Sequence, residues 1–148
     1  MKTRLRELRE RRGLSQRQLA ENLNVTRSSI EVWENASSIP TVRLLQLANF
    51  FEINIDYLVG LTNRKIYLKS SNTINKSLVS SRTREIRKEL NMTLREISEL
   101  LNTSSSTWSA YETQKTIILS SFLVQTCKKS KISIDYVLGR TAHKYILK

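Results

Sequence analysis

Apolar residues recur at helical spacing through two long stretches of the chain. In "TRLRELRERRG" Leu5 and Leu8 share one face, and Gly13 suits the position just past a helix end. "LSQRQLAENLN" offers Ser15 as an N-cap and places Leu19, Ala20 and Leu23 on one side. Asn24-Val25 then turns the chain, and Thr26 is a second N-cap. In "RSSIEVWENA" Ile30 and Trp33 fall three apart, which predicts another amphipathic helix. Pro40 closes the next loop, and "TVRLLQLANFF" predicts a fourth helix with Leu44, Leu47, Ala48 and Phe51 inward. "IDYLVG" predicts a short fifth helix closed by Gly60.

The same plan is written a second time. Arg6-Glu7-Leu8-Arg9 matches Arg84-Glu85-Ile86-Arg87 at an offset of 78, as Glu34 matches Glu112. Arg17, Glu21, Leu23, Asn24 and Ser28 match Arg95, Glu99, Leu101, Asn102 and Ser106 at that offset. The second copy then gains one residue, and "INIDYLVGLT" (53–62) answers "ISIDYVLGRT" (132–141). Its predicted core is Ile86, Met92, Ile97, Leu101, Trp108, Tyr111, Leu123, Ile132, Ile134 and Val137. Two copies of so long a period indicate tandem domains and not a solenoid. The expected division is a first domain over 1–69, a linker over 70–80 and a second domain over 81–148. Each domain ends in a short strand-prone tail, "RKIYLK" (64–69) and "HKYILK" (143–148); the two are expected to pair, within one chain or across a dimer, the alternative being two frayed tails.

Composition narrows the function. The 148 residues carry 25 Lys and Arg against 13 Asp and Glu, a net charge of +12, which favours a polyanionic partner. Both halves are basic: residues 1–69 hold 12 basic and 7 acidic groups, residues 70–148 hold 13 and 6. Three Gly and one Pro argue for helices over a β-rich fold. The single cysteine, Cys127, excludes an internal disulfide, and it falls at the position of Ala48, where a small buried residue is expected. His143 is the only histidine and has no catalytic or metal-binding company. No Gly-rich phosphate loop occurs, so no enzyme activity, cofactor or metal is expected. No apolar run reaches the ~18 residues of a membrane span, and the N-terminus lacks a signal-peptide core, so a cytoplasmic protein is expected.

Two helices joined by a tight turn, the second opening on a hydroxyl cap, form a helix-turn-helix, whose second helix can enter the DNA major groove. The order Ser-Gln, Leu-Ala, Asn-Val-Thr, Ile, Trp-Glu, Pro, Leu-Ala, Tyr-Leu, Gly across residues 4–62 resembles the phage-repressor-like family of Cro/CI or Xre type. Residues 82–141 are similar to it more distantly. The resemblance implies an all-α fold of two tandem five-helix lambda-repressor-like domains. It implies a DNA-binding transcriptional regulator, expected to be a repressor, from a bacterium or phage. The implied partners are a double-stranded DNA operator, a second copy of the chain as a homodimer, and a protein antagonist. The alternative from another class is an inhibitor or assembly module that uses the same fold to grip a protein.

Carried over by position, Gln16 and Arg17 open the second helix, where the family touches a phosphate or base. Thr26, Arg27, Ser28 and Ser29 begin the recognition helix, with Glu31 and Val32 one turn on. Arg27 is the leading candidate, since a guanidinium can grip guanine O6 and N7 together. The loop "NASSIPT", including Ser38 and Thr41, and Arg43 stand where the family meets the backbone. Trp33 is read as core. The second copy has Leu94 for Gln16, Ser105 for Arg27 and Ala110 for Val32. Its candidate contacts are Arg95, Ser104, Ser105, Ser106, Thr107 and Lys115, and the short side chains of its first turn, Ser105-Ser106-Thr107, cannot make the bidentate pair of a long one. Arg82, Arg84, Arg87, Arg95, Lys128, Lys129 and Lys131 keep this copy basic. It is either a DNA-binding half of low specificity or a dimerisation or partner-binding half. The eleven-residue linker spans at most ~36 Å, enough for one chain to act as a covalent pseudo-dimer on two half-sites about 34 Å apart.

Overall fold

The computed structural model describes residues 2–35 and 38–148. Among them are ten α-helices in two compact units, one formed by residues up to 72 together with Lys148 and the other by residues 73–147.

The first unit runs α1 (Leu5–Arg11), α2 (Gln16–Leu23), α3 (Arg27–Glu34), α4 (Thr41–Phe51) and α5 (Ile55–Leu58). Its boundaries are set locally. Ser15 Oγ accepts from the Gln18 N–H at 3.0 Å while Gln18 Oε1 accepts from the Ser15 N–H at 2.8 Å, a capping box that starts α2. Asn24 ends α2 in the left-handed region, at φ 54°, which asparagine tolerates better than most residues. Two residues later Thr26 caps α3. Leu5, Leu8, Leu19, Ile30, Trp33, Leu44, Leu45, Leu47, Ala48, Phe51, Ile55 and Leu58 form the core, with Ile39 sealing it. Leu23, expected inside, is half-buried at the last turn of α2.

The second unit repeats the order with α6 (Lys76–Glu89), α7 (Leu94–Leu100), α8 (Ser105–Glu112), α9 (Ser120–Ser130) and α10 (Ile134–Val137). Thr93 and Glu96 make its capping box, and Asn102 takes the turn at φ 55°. Trp108, at the position of Ile30, is fully buried. Cys127 is buried as expected, and Met92 is half-buried. Gly60 and Gly139 both sit at φ +80°, where glycine is favoured, and a Cβ on Gly139 would also have to displace the Leu78 side-chain tip, 2.9 Å away. Thr83, at the position of Leu5, is fully buried, and neither its hydroxyl nor that of Ser80 has a hydrogen-bond partner among the described residues.

Two expectations are corrected. Within the chain, the β-bridges among the described residues tie each tail to its own unit and not to the other tail. Tyr67 forms an antiparallel bridge with Ile53, and Tyr145 with Ile132. The Leu68 N–H donates to Glu52 O at 3.1 Å, and the Ile146 N–H to Lys131 O at 2.8 Å. Each tail therefore lies on the α4–α5 or α9–α10 corner of its own unit, where buried Ile53 or Ile132 supplies an edge. Nor is 70–80 a linker throughout. Asn49 Oδ1 accepts from the Ser70 N–H at 2.9 Å, and Asn75 caps α6, whose first turns bury Val79 and Ser80. The extended stretch is thus shorter than eleven residues, and the 36 Å reach does not hold.

Candidate nucleic-acid interface

Behind each helix-turn-helix lies a buried ion pair. In the first unit Arg9 Nε and Nη2 donate to Glu34 Oε2 and Oε1 at 2.6 and 3.1 Å, and Nη1 donates to Leu14 O at 2.8 Å. The side chains are only 12% and 3% exposed. This bidentate clamp fixes the last turn of α3 against α1. Hydrogen bonding to Glu34 outweighs desolvation and holds the Arg9 guanidinium above its usual pKa. Arg87 and Glu112 reproduce the clamp at 2.7 and 3.0 Å, and Arg87 is raised for the same reason. Sequence reading missed the role of these four residues. The signal was present, since both the arginine and the glutamate recur at the common offset.

The clamp leaves one face of α3 to solvent. Thr26 Oγ1 accepts from the Ser29 N–H at 3.1 Å and lies 3.0 Å from Ser29 Oγ. Ser29 is thereby turned partly inward, while Ser28 stays exposed. Arg27 is 63% exposed and meets Glu31 only at 4.0 Å, an i,i+4 pair too loose to hold the guanidinium. Val32 is 50% exposed, an apolar side chain suited to a thymine methyl. Arg17 is exposed with no ion pair among the described residues. Gln16 is half-buried, and its Nε2 donates to Glu34 Oε1 at 3.2 Å, so the clamp also orients this amide. Ser38 is exposed, whereas Thr41 is buried and offers little surface. Arg43 is half-buried, with Nη1 donating to Gln46 Oε1 at 2.7 Å. Ala36 and Ser37 of the loop lie outside the described residues.

The second unit uses the same scaffold with different groups. Leu94 stands in place of Gln16, and the extra donor to Glu112 is instead Trp108, whose Nε1–H donates to Oε2 at 2.5 Å, the oxygen opposite to the one Gln16 meets on Glu34. The hydroxyls of the first turn of α8 bond to one another. Ser104 Oγ lies 3.0 Å from Ser106 Oγ and 2.8 Å from Thr107 Oγ1, and Ser105 Oγ lies 3.1 Å from Ser98 Oγ. Arg95 pairs with Glu99 at 3.1 Å on the open surface, and Lys115 is exposed. The basic inventory of this unit needs correcting too. Arg82 donates to Tyr136 O at 2.5 Å with its guanidinium 3.9 Å from the tyrosine ring, and Arg87 is buried in the clamp. Neither presents charge to a partner. His143 is exposed in the tail.

A family model described as a helix-turn-helix domain matches residues 3–64 and again 81–142. The chain belongs to the helix-turn-helix domain family, in two tandem copies. It is 38% identical over 61 residues to an uncharacterised HTH-type transcriptional regulator, YobD, of Bacillus subtilis, covering 40% of this chain and 54% of that protein. It is 39% identical over 57 residues to the HTH-type transcriptional activator BcrR of Enterococcus faecalis, covering 38% of this chain and 28% of that protein. The matched stretch spans about half or less of each relative. No solved structure matches the chain at a significant level. Among the described residues no helix is long and apolar enough to cross a membrane.

Proposed function

We propose that this protein is a sequence-specific regulator of transcription that reads double-stranded DNA with α3 in the major groove. The observation that carries this reading is the outward face of α3. A loosely held Arg27, exposed Ser28 and exposed Val32 sit on a helix clamped from behind by Arg9 and Glu34. A guanidinium for guanine and an apolar side chain for thymine make a base-reading pair. Gln16, Arg17, Ser38 and Arg43 serve the backbone around it, and Thr41 contributes its helix start more than its side chain.

The second unit holds DNA with less discrimination, because its α8 offers only short hydroxyls, which reach phosphates or bases through water. One chain then covers an asymmetric site. Repression follows from occupancy of that site. Activation is the second reading, favoured by the likeness to the Enterococcus transcriptional activator. Selection of bound duplexes from a random pool, followed by footprinting, tests the proposal. We expect strong base preference on one side of the protected region and weak preference on the other. No enrichment over the starting pool would favour a protein-binding module instead, and equal preference in a perfect palindrome would mean two chains pairing through their first units.

A further inference from the structure

The positive charge of this chain does not lie on its helix-turn-helix elements. Residues 16–34 hold two basic and three acidic groups, and residues 94–112 hold one and three. The remainder therefore carries 22 basic and 7 acidic groups, a net +15. In the second unit the deficit at α7 and α8 is sharpest, while Arg82, Arg87 and Arg140 are occupied internally, Arg140 by Asp135 at 2.5 Å.

Three lysines of that unit are gathered elsewhere. Lys128 and Lys129 lie in the last turn of α9, and Lys131 is its C-cap at φ 67°. All are exposed, and none has an ion pair or side-chain hydrogen bond among the described residues. The carboxylate of Glu89 is engaged by the tail, by the Tyr145 hydroxyl at 2.6 Å and by Lys144 at 3.7 Å. The same corner of the first unit is built differently. Asn49 holds Ser70 and Asn72, Phe50 lies 5.5 Å from the Arg12 guanidinium, and Glu52 pairs with Lys69 at 3.4 Å. Complementing the helix dipole accounts for lysines in a last turn. It does not account for Lys131, which lies beyond the helix where the first unit has an acid.

We propose that Lys128, Lys129 and Lys131 form a second phosphate-binding surface, which grips the DNA backbone outside the helix-turn-helix contacts. The inference rests on the DNA-binding reading above. It favours nucleic acid over an acidic protein on chemical grounds. Lysine ammoniums are strongly hydrated point charges, suited to screened attraction by successive phosphates, whereas protein interfaces deplete lysine and prefer the arginine fork for carboxylates. Eleven residues of α9 at ~1.5 Å each separate this corner from the helix start by about 15 Å, so it meets different phosphates.

The test is the salt dependence of duplex binding by the full chain. The wild type is compared with Lys128→Gln/Lys129→Gln/Lys131→Gln on the selected duplex and on random duplex. Each lost phosphate contact lowers the slope of log affinity against log salt by about 0.9, so the triple variant should lose roughly 2 to 3 units of slope on both duplexes. Base preference should stay the same. The corresponding Lys→Arg triple variant should restore the slope, and Lys131→Glu alone, which copies Glu52, should lower it by about one unit with little effect on folding. A slope in both Lys→Gln and Lys131→Glu variants equal to that of the wild type overturns the proposal, whatever else the lysines bind. A wild-type chain that fails to bind any duplex would instead overturn the DNA-binding reading itself.

Discussion

Helices α3 and α8 have the same length, open on the same kind of hydroxyl cap and are held from behind by the same arginine–glutamate clamp. Their outward faces differ. The first shows Arg27, Ser28, Glu31 and Val32, while the second shows Ser105, Ser106, Ser109 and Ala110. The comparison teaches that scaffold and reading surface are separable in this fold. What was kept is the buried charge that sets where the helix sits. What changed is the set of side chains that reach beyond it.

The largest effect should come from breaking what the units share. Glu34→Ala leaves Arg9 buried and unpaired, and Glu112→Ala does the same to Arg87. Each should cost its own unit about 3–5 kcal/mol. Trp33 and Trp108 are the only tryptophans, one per unit, so fluorine NMR of fluorotryptophan-labelled protein reads the two transitions separately. Equal loss in both units from either substitution would show that they do not unfold as separate bodies.

Next comes what they do not share. Arg27→Ala should cost roughly 1–3 kcal/mol on the preferred duplex and relax base choice at one position. Ser105→Ala should change neither by more than about 0.5 kcal/mol. If base choice survives Arg27→Ala, the base-reading role of Arg27 is wrong.

A smaller effect separates the two clamps. Gln16→Leu copies Leu94 and should weaken binding by about 1 kcal/mol, or roughly fivefold, without lowering stability. The reverse change, Leu94→Gln, should gain little, because Glu112 already accepts from both Arg87 and Trp108. Affinity that rose with Leu94→Gln would break the argument that Glu34 orients the amide.

The smallest concerns the second core. Thr83→Val removes a buried hydroxyl without a partner at nearly constant volume, and should stabilise the second unit by up to about 1 kcal/mol, read as a rise in the Trp108 transition. A fall would mean that the hydroxyl is satisfied by water.

The caps were legible in the sequence because their chemistry is local. Ser15 and Thr26 each announce a helix with a side chain that reaches only three residues on. Most of the core was legible from period, including Trp33, and Cys127 from its repeat position opposite Ala48, while Leu23 and Met92 proved half-buried. The clamps were not, because arginine and glutamate are ordinarily surface residues, and only a partner 25 positions away makes their burial tolerable. The tails were half legible. Their β-prone pattern was visible, but Ile53 and Ile132, which they pair with, are chosen by tertiary structure. Residues 70–80 misled because serine and asparagine read as a linker, although Asn75 followed by Leu78 and Val79 also spells a capped helix.

The docking of each tail on its own unit bears on how a duplicated chain avoids tangling. Two related halves in one polypeptide invite helix exchange, in which α1 packs where α6 belongs. Here the tail of the first unit is closed by a bridge at Tyr67, and residues 2–72, which hold nearly all of that unit, emerge from the ribosome ahead of α6. The cores also mismatch, with Leu5 against Thr83 and Ile30 against Trp108 at equivalent places. A swapped half would strand a hydroxyl or overfill a pocket. Vectorial synthesis and mismatched interiors together act as a proofreading device for the assembly of a repeat. The fragment 1–72 should accordingly fold alone, with dispersed amide signals and a cooperative transition. Should it remain unfolded until 73–148 is added in trans, order of synthesis could not be what keeps the halves apart.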